Sequence, residues 1–153
     1  MDKKNYRRGV GMIIMNKDGL FWLGKRIGME AWQFPQGGID NGEDVTEAMY
    51  RELYEEVGLD KDDINIVAIS KEWITYDIPT SIRSYVLGGK FKGQIQKWYF
   101  VDLVSPKEKI DLNQDPKPEF DKYEWVTYWY PLGKIIDFKK EAYRGNFWKS
   151  CSP

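Results

Sequence analysis

The stretch Gly37-Gly38-Ile39-Asp40-Asn41-Gly42-Glu43-Asp44-Val45-Thr46-Glu47-Ala48-Met49-Tyr50-Arg51-Glu52-Leu53-Tyr54-Glu55-Glu56-Val57-Gly58-Leu59 passes from a loop into a helix and out again. Asp44 carries a short side-chain acceptor suited to cap the first turn, Glu47 three residues on completes an acidic variant of the capping box, and Gly58 supplies the stop. The helix predicted over 44–57 is about four turns long. At roughly 100° per residue, Met49, Leu53 and Val57 form one stripe that should face a sheet. Glu52, Glu55 and Glu56 fall together beside that stripe at i, i+3 and i+4, so their carboxylates can converge within reach of one or two cations. Like charges at this spacing destabilise a helix by a few tenths of a kcal/mol per pair, and more beside an apolar face. Arg51 can pair with Glu55 or with Glu43, but one guanidinium does not neutralise three converging carboxylates.

Charge elsewhere sharpens the contrast. Ten acidic residues between Asp40 and Asp63 stand against Arg51 and Lys61, a local balance of -8, in a 153-residue chain whose formal net charge is only -1. The ends lean basic, with Lys3, Lys4, Arg7 and Arg8 at one and Lys134, Lys139, Lys140, Arg144 and Lys149 near the other. A near-neutral total removes the reading in which a basic chain binds any polyanion, so a nucleic-acid role has to be local. Histidine is absent and cysteine is limited to Cys151, which excludes a Ser-His-Asp triad, a Cys-His pair, a His-ligated zinc or haem and a thiolate zinc cage. Carboxylate is what remains for catalysis, and clustered carboxylates select hard divalent ions such as magnesium or manganese.

Apolar runs such as Met12-Ile13-Ile14-Met15 are far shorter than the ~20 residues needed to span a bilayer. The first residues contain no apolar segment followed by a small-residue cleavage site, so a cytoplasmic protein with no membrane partner is expected. Without repeats, low-complexity tracts or a Gly/Ser/Pro linker, residues 1–153 read as one domain. Val10 to Met15 and Leu20 to Leu23 flank the turn signal Asn16-Lys17-Asp18-Gly19 and predict a hairpin. Phe34 to Gly38 reads as loop. Further strands are expected at Ile64 to Ile69, Ile82 to Leu87, Trp98 to Val104 and Tyr123 to Thr127, with a short helix after Pro131 and a last helix over Lys139 to Lys149. The irregular alternation of strands and helices predicts an α/β fold with a mixed sheet.

Gly37, Glu43, Arg51, Glu52, Leu53, Glu55, Glu56, Gly58 and Leu59 occupy every fixed position of Gly-x5-Glu-x7-Arg-Glu-U-x-Glu-Glu-x-Gly-U, where U is a bulky aliphatic residue. The segment therefore resembles the signature of the Nudix hydrolase family, a match with a chance probability on the order of one in ten million for a chain of this size. The resemblance implies an α/β/α sandwich around a mixed sheet and hydrolysis of a nucleoside diphosphate linked to another group. It implies magnesium or manganese, two or more ions, held by Glu52, Glu55, Glu56 and the Gly37 carbonyl, and Glu43 with Arg51 as the pair pinning loop to helix.

The flanks narrow the resemblance. Tyr6-Arg7 leading into Val10-Gly11, Trp32-Gln33-Phe34-Pro35-Gln36-Gly37-Gly38-Ile39, Gln96-Lys97-Trp98-Tyr99-Phe100, Pro118-Glu119-Phe120-Asp121 and Trp129-Tyr130-Pro131 are similar to the bacterial RNA 5′ pyrophosphohydrolase branch, which also contains diadenosine polyphosphate hydrolases. In that branch Glu119 matches a further acidic ligand from outside the box. Glu52, Glu55 and Glu119 are then the catalytic carboxylates, and the proton acceptor is Glu52 or Glu119. Arg7, Arg26 and Lys139 match phosphate-contacting positions, Phe138 matches a base-stacking position, and Tyr76 is a weaker stacking candidate. The implied substrate is 5′-triphosphorylated RNA, converted to a 5′-monophosphate as a first step of mRNA decay. Dinucleoside polyphosphates or free nucleoside triphosphates are the alternative, a non-catalytic nucleotide-binding protein is the rival from another class, and a homodimer is left open.

Overall fold

The computed structural model describes residues 5–28, 32–78 and 90–127. Among the described residues eight strands form one sheet: β1 (Tyr6–Met15), β2 (Phe21–Arg26), β3 (Trp32–Gln33), β4 (Gln36–Gly38), β5 (Ile64–Ile69), β6 (Ile74–Asp77), β7 (Gly93–Leu103) and β8 (Phe120–Val126). The order is β3-β2-β1-β7-β5, with β4 also on β1, β6 on β7 and β8 on β2. β1 and β7 run parallel from Tyr6 opposite Gly93 to Met15 opposite Asp102, while the other pairs are antiparallel, so the sheet is mixed as expected. The expected strand over Ile82 to Leu87 and both helices after Pro131 lie outside the described residues. Among the described residues no helix is long and apolar enough to cross a membrane.

The predicted hairpin forms, but the two strands pair only where the turn brings them together. The Asn16 side chain accepts from the Asp18 and Leu20 amides at 2.9 and 3.1 Å, closing the turn, and Met15 faces Phe21. Beyond that point β1 and β2 part, and residues 32–38 fill the gap. β3 pairs with β2, β4 pairs with β1 through Gly9–Gly38, Val10–Gly37 and Gly11–Gln36, and the Met12 amide donates to the Pro35 carbonyl between them. Part of the segment expected as loop is thus a strand, because the backbone groups of β1 that β2 leaves behind need partners. β6, likewise absent from the sequence reading, forms along β7 opposite Gly93 to Gln96.

The helix α1 (Val45–Val57) follows as predicted. Asp44 accepts from the Thr46 and Glu47 amides, and Gly58, at φ 75°, ends the helix in the left-handed conformation with its amide on the Tyr54 carbonyl. The second half of the expected capping box is not made: the Glu47 carboxylate is held by Lys61 at 3.1 Å, and a reciprocal box appears instead between Asp60 and Asp63. Met49, Leu53 and Val57 are buried against Val10, Met12 and Ile14 of β1 and Tyr99, Val101 and Leu103 of β7. Each such aliphatic side chain contributes about 1.5–3 kcal/mol by leaving water. Ile13, Leu23, Phe34, Ile74 and Trp98 form a second core cluster. Asp44→Ala should lower stability by about 1 kcal/mol, read as a lower urea midpoint at unchanged m-value, because two amides at the start of α1 lose their acceptor.

Candidate active site

Loop and helix are joined by one guanidinium. Arg51 donates through Nε to Glu43 Oε2 at 2.8 Å and through Nη2 to Glu43 Oε1 at 2.9 Å, a two-pronged pairing, while Nη2 also reaches the Gly38 carbonyl at 2.8 Å. Its Nη1 turns to the helix, to Glu52 at 2.9 Å and Glu55 at 3.3 Å. Hydrogen bonds from Arg51, then from the Asp40 amide, hold the Glu43 carboxyl well below the usual range, at about 2. Glu43 in turn raises the affinity of Arg51 for its proton.

The carboxylates beyond that pairing are less well compensated. Glu52 is buried, and burial pushes its pKa up to about 7 against the opposing pull of Arg51. Glu56 is more strongly affected: burial, then the charges of Glu119 and Glu52, push it up to about 9. Its Oε2 atom is buried and finds no hydrogen-bond partner among the described residues. Gly37 lies so close beneath Glu52 that a Cβ there would come within 2.0 Å of the carboxyl carbon, so a side chain at this position would displace the Glu52 carboxylate.

Glu119 reaches this group through the sheet. β8 pairs antiparallel with β2 and brings Arg26 opposite Phe120, so Glu119 meets Arg26 at 3.1 Å. Arg7 lies over Gly38, where a Cβ would approach its Nη2 to 2.5 Å, and its charge opposes the rise in the Glu52 pKa. The expected residues Arg7, Arg26, Gly37, Glu52, Glu55, Glu56 and Glu119 therefore line a single cavity of about 250 Å³. Tyr76 sits on β6 opposite Gln94, which lines the same cavity. Phe138 and Lys139 lie outside the described residues.

Six lining residues escape the sequence reading, the glycines Gly9 and Gly38 and four with polar side chains. Asp115 adds a fifth carboxylate, and Gln33, Gln36 and Gln94 add a polar amide wall. Gln33 and Gln36 stand in a motif already quoted, but only the pairing of β3 and β4 reveals that they face a cavity. The loop after Asp111 carries no local signal for the placement of Asp115.

Among the described residues no three acidic side chains stand gathered as a ready metal cluster. Arg51 holds Glu52 and Glu55, and Arg26 holds Glu119. The donor set nonetheless fits a hard divalent cation: all oxygen, crowded, with one buried carboxylate oxygen unpartnered and two carboxyls whose ionisation burial opposes. Because the folded pKa of Glu56 is raised, its destabilising effect is absent below about 4.5 and grows as the pH rises toward 9. In chelator-treated protein at pH 8, Glu56→Gln should therefore raise Tm by about 3 °C or more, with the gap closing near pH 4. Equal Tm values at both pH values would remove the burial argument.

Comparison with known proteins identifies the family and the fold. The NUDIX domain profile matches residues 5–145. A protein of Aliivibrio fischeri named RNA pyrophosphohydrolase is 44% identical over 144 residues, covering 94% of this chain and 85% of its own. A Vibrio cholerae protein of the same name is 43% identical, covering 94% of this chain and 84% of its own. Among solved structures, a dihydroneopterin triphosphate pyrophosphohydrolase of E. coli superposes with a TM-score of 0.70 at 17% identity, covering 94% of this chain and 99% of its own. A C. elegans Ap4A hydrolase superposes with a TM-score of 0.66 at 23% identity, covering 95% of both chains. These two likenesses speak to the fold. With the signature residues assembled around one cavity and the profile spanning most of its length, the chain belongs to the Nudix family.

Proposed function

We propose that this protein is a divalent-metal-dependent hydrolase that removes pyrophosphate from the 5′-triphosphate end of RNA and leaves a 5′-monophosphate. The observation that carries the reading is the placing of buried, undercompensated carboxylates and two arginines around one cavity. The relatives named RNA pyrophosphohydrolase, at 43–44% identity over nearly the whole chain, support RNA as the substrate.

Glu52, Glu55, Glu56 and Glu119, with the Gly37 carbonyl, would hold magnesium or manganese, and such ions neutralise phosphate charge and acidify a bound water. The chain's own groups do the rest. Arg7 and Arg26 bind non-bridging phosphate oxygens, a task for which the guanidinium fork is suited. Arg26 then exchanges its contact with Glu119 for one with phosphate, which frees that carboxylate. Water attacks phosphorus, its oxygen forms the new P–O bond, the bridging P–O bond breaks, and pyrophosphate leaves. Glu52 or Glu119 accepts the proton released by the water. Glu43 and Arg51 take no part in bond making and keep the loop carrying Gly37 and Gly38 against the helix.

Glu52→Gln should lower kcat/KM by about 10²-fold or more at saturating magnesium while leaving Tm within a few degrees of wild type. Turnover at the wild-type rate would refute the assignment. The ratio of kcat/KM for a triphosphorylated oligonucleotide to that for a nucleoside triphosphate and for a dinucleoside polyphosphate should exceed one. A ratio below one would assign the site to free nucleotides.

A further inference from the structure

Gln96 of β7 is 1% exposed, yet its side chain crosses a whole strand. In the order β7-β1-β4, Gly9 lies opposite both Gln96 and Gly38, and Gly11 opposite both Trp98 and Gln36. Strands one place apart are separated by about 4.8 Å, so β7 and β4 stand roughly 10 Å apart. Two glutamine side chains meet over that span only if the strand between them carries no side chain on this face, and β1 has glycine at both positions. A Cβ on Gly9 would stand 3.8 Å from Gln96 Cγ and 2.7 Å from the Gly37 carbonyl oxygen, and one on Gly11 would enter the Trp98 ring at 2.5 Å.

Across this glycine column Gln96 Nε2 donates to Gln36 Oε1 at 2.8 Å and to Gln94 Oε1 at 2.9 Å. A glutamine amide has one carbonyl oxygen and one NH2 group at opposite corners. With its carbonyl turned back to Gln96, whose own Oε1 is buried without a partner among the described residues, the NH2 end of Gln36 is turned the other way, and Gln36 lines the cavity. We propose that Gln96 is a positioning residue that sets Gln36 as a hydrogen-bond donor toward an uncharged acceptor, a base or ribose atom, of the nucleoside adjoining the phosphates. This inference rests on the hydrolase reading above and adds how the nucleoside is recognised.

The alternation of β4 separates this donor from the carboxylates. The Cβ direction of Gly37 faces Glu52, so those of Gln36 and Gly38 face the opposite side, where Arg7 covers Gly38. Gln36 lies two residues, about 6.6 Å, further along the strand. In this proposal a phosphate chain held by Arg7 continues into a nucleoside beside Gln36, which lines the same cavity. A neutral amide competes poorly with arginine for phosphate, but it discriminates among neutral partners because a mismatched donor is left unpaired.

Gln96→Glu supplies the test, since a carboxylate only accepts: the Gln36 and Gln94 amides should swing inward to it and present their carbonyls to the cavity. KM for the triphosphorylated oligonucleotide should rise about tenfold or more with kcat changed by less than about threefold, and Gln96→Met should give a smaller rise in KM. The Ki of inorganic tripolyphosphate, which has no nucleoside, should stay within about twofold of wild type in each variant. Gln36→Met, at the cavity wall rather than beneath the strands, should reproduce the Gln96→Met result and carries the test if the Gln96 variants do not fold. An unchanged KM in Gln36→Met, or a tripolyphosphate Ki that rises in step with KM, would overturn the proposal. Should the wild type prefer nucleoside triphosphates, the same comparison holds with those substrates, so an inactive wild type counts against the hydrolase reading and unaffected variants against this one.

Discussion

Arg51 is the constraint on which the site depends. Glu43 on the loop and Glu52 and Glu55 on the helix would drive their elements apart, and one guanidinium satisfies both sets while also capping the Gly38 carbonyl. Removing one partner from such a partly buried group leaves the remaining charges uncompensated, which is far more destabilising than never having had them. The same contact draws the loop backbone in where it meets the helix, so that a side chain at Gly37 would displace the Glu52 carboxylate. Yet Arg51 does not reach Glu56, and that shortfall leaves a buried carboxylate oxygen without a partner among the described residues.

The helix and its loop are legible in the sequence because everything that specifies them is local. Asp44, the stripe of Met49, Leu53 and Val57, and Gly58 each act on neighbours within about one turn, so spacing alone predicts them. The glutamates share a helical face for the same reason. Their consequences are less visible: spacing predicts that Glu52, Glu55 and Glu56 cluster but not that Glu55 remains partly exposed while the other two are buried. Glu47 departs from its expected role: its carboxylate pairs with Lys61 at the surface, a residue fourteen positions on that the helix-start pattern does not include.

Residues delivered by the sheet are legible only through resemblance, or not at all. Glu119 comes to the cavity because β8 pairs with β2, and no periodicity announces that. β4 contains two glycines and would be a poor strand alone; it forms because β1 parts from β2 and offers unpaired backbone. Gln94 and Gln96 open β7 in a polar stretch where strand propensity is low, so the sequence places the start of this strand at Trp98 rather than Gly93. Their meeting with Gln36 depends on strand order, a property of the whole sheet.

The parting of β1 and β2 explains why carboxylates and amides can share a cavity without opposing one another. The inserted strand exposes alternate sides at successive residues, so Gly37 adjoins Glu52 while Gly38 adjoins Arg7. Among the described residues five carboxylates, Glu52, Glu55, Glu56, Asp115 and Glu119, face two arginines, Arg7 and Arg26, around this space. A polyphosphate entering it would meet repulsion unless negative charge were first removed. Protons do part of this in the metal-free protein, since burial raises the affinity of Glu52 and Glu56 for them. Divalent cations would do it more completely and would have to displace those protons, so metal affinity should strengthen as the pH rises through the neutral range. On the proposed reading, the burial that disfavours charge on Glu56 would make the cavity receptive to a cation, and through it to a substrate of the same sign as its walls.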